Sequence, residues 1–327
     1  MALEPVDPEH EAQIEAGIEG RTKGHDFERA LSEDINRIEI SEGEYAGGSE
    51  HLIEGRPSEE LLKYIIASEG LSDVRDVEAT WLGGLATMNE GGTVAGVDAD
   101  SFTGSKSDIV VEIEHGEGRL LTGVSVKTCH NQTPTNDQLY CTTAGAFCEL
   151  LRRNDLPVST AAEEALRMFC GEEGYRPKDS PEAMAGREAD DRRWFWEELP
   201  EDARHELESL LDDHQRTITT LLLQSAYEND PFPPEYVFHQ RVGCDDINDC
   251  KIALFTVEEL ARYSESYDGF HTYNYGIHKG TFKNDPNTHQ APRFGFVQFQ
   301  RLGNTQNATQ LQFNLKAGYF NKIGKSN

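Results

Sequence analysis

Three side chains within one short stretch have the chemistry to hold a divalent cation against an anionic substrate. They are the carboxylate of Asp108, the hydroxyl of Ser125 and the ammonium of Lys127, all inside KSDIVVEIEHGEGRLLTGVSVKT (residues 106–128). A carboxylate and a hydroxyl are hard oxygen donors of the kind Mg²⁺ takes. An ammonium beside them can neutralise charge that builds on a bound phosphate. Asp108 lies 17 residues before Ser125, so the chemistry depends on what folds them together.

The pattern supplies that element. Ile109, Val110, Val111 and Ile113 form a β-branched run, His115-Gly116-Glu117-Gly118 is a turn signal, and Leu120 to Val126 is a second run. With Gly116-Glu117 as a two-residue loop, Gly116 is expected to supply the positive φ of a type II′ turn. His115 then faces Gly118, and counting back along both strands sets Asp108 opposite Ser125. Cross-strand partners share a face, and Lys127, two residues on, points the same way. Val124 and Val126 are left to face a core.

An Asp opening one strand, followed by Ser-x-Lys on the next, resembles the core of the PD-(D/E)xK nucleases. The phrases Lys106-Ser107-Asp108-Ile109 and Gly123-Val124-Ser125-Val126-Lys127 are most similar to those of type II restriction endonucleases. Such enzymes often begin with a helix reading G-x-x-F-E-x-x-L, and Gly24 to Leu31 is similar. The resemblance covers roughly residues 20–150. It implies an α/β fold with a mixed central sheet flanked by helices, a helical insertion and a C-terminal β-rich region. It also implies Mg²⁺-dependent, site-specific cleavage of double-stranded DNA, with Asp108, Ser125, Lys127 and Glu28 catalytic, Asp108 and Glu28 holding the metal, and a homodimer for a palindromic site. Ser125 departs from the commoner second carboxylate. The alternatives are another PD-(D/E)xK nuclease, of DNA repair or phage defence, and a non-catalytic DNA-binding protein with a degenerate core.

Composition frames these expectations. The chain has 327 residues and a formal net charge of −29. From Phe270 onward seven Lys/Arg face a single acid, Asp285, so this part carries +6 and the remainder −35. Eleven Lys against nineteen Arg, with the acidic excess, resembles proteins of salt-loving microbes. The bland reading is an ordinary acidic protein. Six cysteines without a CxxC pair give no zinc motif and fit reduced thiols. No apolar run is long enough to span a membrane, and Met1-Ala2-Leu3-Glu4-Pro5 lacks the pattern of a signal peptide. A cytoplasmic location with no membrane partner is the expectation.

The chain reads as four regions: an acidic, flexible tail (1–20), the nuclease-like core (21–155), a helical region (156–230) and a β-rich, locally basic region expected to recognise DNA (231–327). Phe27, Ala30, Leu31, Ile35 and Ile38 mark a helix stripe from Gly24 onward, with Glu28 at its edge and Asp34 as the rival acid. Residues 41–55 read as a loop, and Ser58 as the N-cap of a helix ending near Gly70. Val77–Leu82 reads as a strand. Gly91–Gly104 reads as a loop whose Asp98 and Asp100 could approach a metal. A helix is expected from Thr135 or Asn136 through Leu151, offering Asp137 and Glu149 as substitute acids, though neither has a convincing spacing. Residues 201–223 read as one long helix, and 231–234 (PFPP) as a breaker. Residues 293–301 read as one strand, with Phe294, Phe296, Gln298 and Gln300 on one face and Phe299 and Arg301 on the other. A turn at 303–307 leads to a second strand, 310–316. Arg293, Gln298, Gln300, Arg301 and Lys316 are the expected DNA contacts, since Gln can hold adenine edges and Arg guanine. The competing reading is a polar edge hairpin.

Overall fold

In the computed structural model of the protein, residues 8–40, 50–83, 93–128, 136–227, 229–240, 250–278, 285–301 and 310–316 are described. The chain divides into two compact units. The first comprises residues 1–135, 223–260 and 317–327, and the second residues 136–222 and 261–316.

The first unit is built on a six-stranded mixed sheet of order β1-β9-β8-β6-β5-β2. Its strands are β1 (Leu52–Gly55), β2 (Asp76–Trp81), β5 (Ile109–His115), β6 (Gly118–Lys127), β8 (Pro234–Gln240) and β9 (Cys250–Thr256). All neighbours are antiparallel except β6 and β8, which run parallel. A small hairpin, β3 (Thr93–Val94) with β4 (Val97–Asp98), precedes β5. Helices α1 (Pro8–Ile35) and α2 (Pro57–Glu69) cover one face of the sheet. There Leu31 and Ile35 of α1 and Leu61, Ile65 and Ile66 of α2 meet Ile109, Val111, Val124, Val126 and Phe238, all nearly inaccessible to solvent. Removing this much aliphatic surface from water, at roughly 25 cal/mol per Å², is the main force holding helices to sheet.

Local chemistry explains where these elements depart from the sequence expectations. Helix α1 starts at Pro8, so residues 8–20 are helical rather than a flexible tail. Proline suits a first helical turn because its missing N–H would be unpaired there anyway. Residues 52–55 form an edge strand rather than loop, paired to β9. Ser58 lies inside α2, whose N-cap is Arg56, and its hydroxyl donates to Asp34 Oδ2 (2.5 Å). Gly70 ends α2 in the left-handed region (φ 63°), as the spacing predicts.

The second unit holds a five-stranded antiparallel sheet of order β10-β11-β12-β13-β7. Its strands are β7 (Asn136–Thr143), β10 (Phe270–Tyr275), β11 (His289–Phe294), β12 (Val297–Arg301) and β13 (Gln310–Lys316). Its helices are α3 (Ala144–Arg153), α4 (Thr160–Cys170), α5 (Glu201–Asp213) and α6 (Gln215–Gln224), the last running past the unit's border at Leu222. The short helix α7 (Val257–Glu265) follows β9. Trp196 is fully buried and packs edge-on against Phe169 and Phe299.

Three expectations fail in this unit. The helix expected from residue 135 begins only at Ala144, capped by Thr143, because residues 136–143 are recruited as a strand beside β13. The long helix of 201–223 is broken at His214. Residues 293–301 are a hairpin rather than one strand, since Gly295 takes φ 52° and turns the chain back. Phe294 therefore shares a face with Phe299 (ring centroids 6.4 Å apart), opposite Gln298 and Gln300. Strands β12 and β13 do pair, as the sequence suggests. Their connecting turn lies outside the described residues.

Candidate active site

The hairpin of β5 and β6 has the register read from sequence. His115 pairs with Gly118, and Ile109 with Val124. The positive φ falls on Gly118 (147°) rather than on Gly116, so the turn is not of the expected kind although its length is. Asp108 sits just before β5. Its N–H donates to Val124 O (2.9 Å) and its carbonyl accepts from Leu82 N (2.8 Å), which fixes its backbone between two neighbouring segments.

The side chains converge. Asp108 Oδ2 accepts from the Val126 N–H (2.5 Å) and from the Ser125 hydroxyl (3.2 Å), and Lys127 Nζ lies 3.8 Å away. All three contacts fall on Oδ2, leaving Oδ1 outside them. Ser125 is buried, whereas the Asp108 and Lys127 side chains keep 27% and 20% of their surface, enough to meet a ligand. The arrangement presents a carboxylate, a hydroxyl and an ammonium on one side of the sheet.

Glu28 reaches the same place from α1. It is only 7% exposed, and its Oε2 accepts from Trp81 Nε1 (3.2 Å). Burial first, and then the negative charge of Asp108, push its carboxyl up to about 7, against the pull of Trp81 and Lys127. One glycine makes room: a Cβ on Gly83 would stand 2.7 Å from Trp81 Nε1 and 3.1 Å from Glu28 Oε2. The rival acid, Asp34, is engaged elsewhere. It pairs with Arg56 (2.6 and 3.0 Å) and Ser58, and these bonds outweigh burial to hold its carboxyl below the usual range.

Lys106 joins the charged groups around Asp108 and Lys127, though its residue type alone gave it no role from sequence. Burial, and then repulsion from Lys127, push its amine down to about 7, partly offset by Asp108. Its position two residues before Asp108, on the same run, was the available signal.

The fit to a metal can be judged from the donors. Glu28 and Asp108 are two carboxylates whose mutual repulsion a cation would relieve, and Mg²⁺ commonly takes one or two carboxylates and keeps its waters. Among the described residues no group of three or more His, Cys, Asp or Glu side chains could hold a metal. The two carboxylates are oxygen donors of the kind a hard, water-rich cation takes. Asp98 caps a single helical turn by accepting from Asp100 N (3.0 Å), and Asp100 is exposed. Glu149 is ion-paired to Arg153 (3.0 Å) on α3. The Asp137 side chain lies outside the described residues, although its backbone belongs to β7.

The five expected DNA contacts lie on the second unit's sheet. Arg293 lays its guanidinium 3.8 Å from the Tyr273 ring centroid. Gln298 donates to Gln300 (3.1 Å), Gln300 to Gln312 (3.2 Å) and Gln312 to Gln138 (2.9 Å), forming an amide ladder across β12, β13 and β7. Arg301 and Lys316 belong to β12 and β13 by their backbone, and their side chains lie outside the described residues.

Comparison of the chain with protein-family models returns no match, and comparison with curated proteins returns none either. No described helix is long and apolar enough to cross a membrane.

Proposed function

We propose that the protein is a Mg²⁺-dependent endonuclease that cuts double-stranded DNA at specific sequences, built on a PD-(D/E)xK-like core of restriction type. The observation that carries this reading is the meeting of Asp108, Ser125, Lys127 and Glu28 at one end of the β5–β6 hairpin. The mixed sheet flanked by helices agrees with the fold that the resemblance implies.

The residues divide the work. Asp108 and Glu28 would hold Mg²⁺, which when bound polarises a phosphoryl group and makes a nearby water more acidic. Lys127 holds its ammonium 3.8 Å from the Asp108 carboxylate. It stands where it can orient the attacking water and offset charge building on the phosphate. Ser125 and the Val126 N–H hold the Asp108 carboxylate in place. Lys106, with its amine shifted towards neutrality, is a second nitrogen at hand for a proton. The locally basic second sheet would contribute to recognition, and a palindromic site would call for a homodimer working in the cytoplasm.

Incubating supercoiled plasmid with the protein and Mg²⁺ tests the reading. Discrete fragments support it, and a smear or structure-dependent nicks point instead to a repair or defence nuclease. Lys127→Ala should abolish cutting, a loss of at least a thousandfold, while DNA binding in a gel-shift assay survives. A variant that cuts normally removes Lys127 from the mechanism. A second reading, a non-catalytic DNA-binding protein, is favoured by one observation: the hydroxyl of Ser125 where the commoner pattern has a carboxylate. DNA left intact under all divalent ions would support it.

A further inference from the structure

The second unit contains a recess of about 330 Å³, at the lower end of the ~300–1,000 Å³ range of small-molecule sites. That is room for one ring system, not for a peptide. Its lining includes Tyr273, Tyr275, Phe299, Gln298, Gln300 and Arg193. Two of the rings are braced by arginines. Arg293 stacks on Tyr273 at 3.8 Å, and Arg193 Nη2 donates to the Tyr275 hydroxyl (3.1 Å). A braced ring is a preformed platform for another flat ring, as in the aromatic platforms on which bases stack.

The hydrogen-bonding edge is equally specific. Gln298 is 93% buried in effect, with 7% of its surface exposed. Its amide has two N–H donors and one carbonyl acceptor. One N–H is committed to Gln300, whose own amide is committed onward to Gln312. The ladder orients the Gln298 amide, and an amide carries a carbonyl acceptor and an N–H donor in one plane. A neighbouring acceptor and donor in one plane is the pattern that grips an adenine-like edge with two bonds.

We propose that this recess binds a single nucleobase, stacked on Tyr273 and Tyr275 and held at its edge by Gln298. The base comes either from a free nucleotide or from a nucleotide swung out of a DNA strand, which enzymes do most easily where pairing is already weak. The second source rests on the DNA reading above.

The test uses the full chain without divalent ion, so that hydrolysis plays no part. One probe is the monophosphate of 8-vinyl-2′-deoxyadenosine, a fluorescent adenine that keeps the N6 amine and N7. The other is a short duplex carrying that base opposite a mismatch. A saturable change in emission with either probe, displaced by dAMP and not by ribose 5-phosphate, is expected, and the probe that responds identifies the source. Gln298→Leu and Tyr273→Ala should each weaken binding at least tenfold, with Tyr273→Phe restoring it. No response to either probe, or equal displacement by ribose 5-phosphate, overturns the proposal, as does undiminished binding by folded Gln298→Leu. Plasmid cleavage without base capture removes only this site, and base capture with uncut plasmid removes only the nuclease.

Discussion

Asp108 has little rotational freedom of its own. A backbone N–H and a buried hydroxyl both bind one of its oxygens, so the strand aims the carboxylate and the side chain follows. Glu28 is pressed towards the same point by α1 and kept there by an indole N–H. Two acids held together in this way are poised to gain from a cation. Adding Mg²⁺ to the wild-type protein should raise its melting temperature, by the equivalent of about 2.7 kcal/mol when the ion is at a hundred times its Kd. Asp108→Asn should lose that increment. An equal rise in the variant, followed by calorimetry, would place the ion elsewhere.

The elements depend on a few close approaches. The first residues of β8 and the segment before them run hard against Gly123 of β6, at the irregularity in that parallel pairing. A Cβ there would overlap Ser107 Oγ and come within 2.7 Å of Pro233 O and 2.8 Å of Phe232 O. Gly123→Ala should therefore destabilise the protein by about 3 kcal/mol, read by urea denaturation, because backbone cannot yield as a side-chain tip can. Helices α1 and α2 are pinned by Asp34. Its carboxyl lies below its unfolded value of 3.8, so the stabilisation is fully present above pH 3.8 and is lost as pH falls through the lower folded value. Asp34→Asn should cost about 1–2 kcal/mol at pH 7, discounted because Arg56 is a third exposed. It should also flatten the acid limb of the stability curve. The β5–β6 hairpin was legible from sequence because alternation and turn length alone set its register. The hairpin of β11 and β12 was not, because the alternation of Arg293 to Arg301 runs unbroken through Gly295, and only a tertiary partner decides that the chain turns there. Strand β7 was hidden for a related reason: residues 136–143 gain their identity from β13, far along the chain. Glu28 was readable from its helix phrase, whereas the Gln298 recess needs strands β10, β11 and β12 together.

At the scale of the whole molecule, charge dominates. A net −29 repels itself at low ionic strength, and added salt screens that repulsion within about 10 Å at 0.1 M. Melting temperature should rise as KCl is increased from millimolar to molar levels, and a flat or falling curve would argue against the salt-adapted reading. An acidic protein also has less to gain from displacing ions from DNA, so its log K against log[salt] should be shallower than the steep slopes of basic binders.

The parallel partnership of β6 and β8 has a consequence for synthesis on the ribosome. Roughly 100 residues separate the end of β6 from the start of β8. At ~5–20 residues per second, the nascent hairpin waits on the order of ten seconds with one flank open. During that wait its bare edge is available to foreign strands. Newly made chains should thus be most dependent on chaperones in that interval.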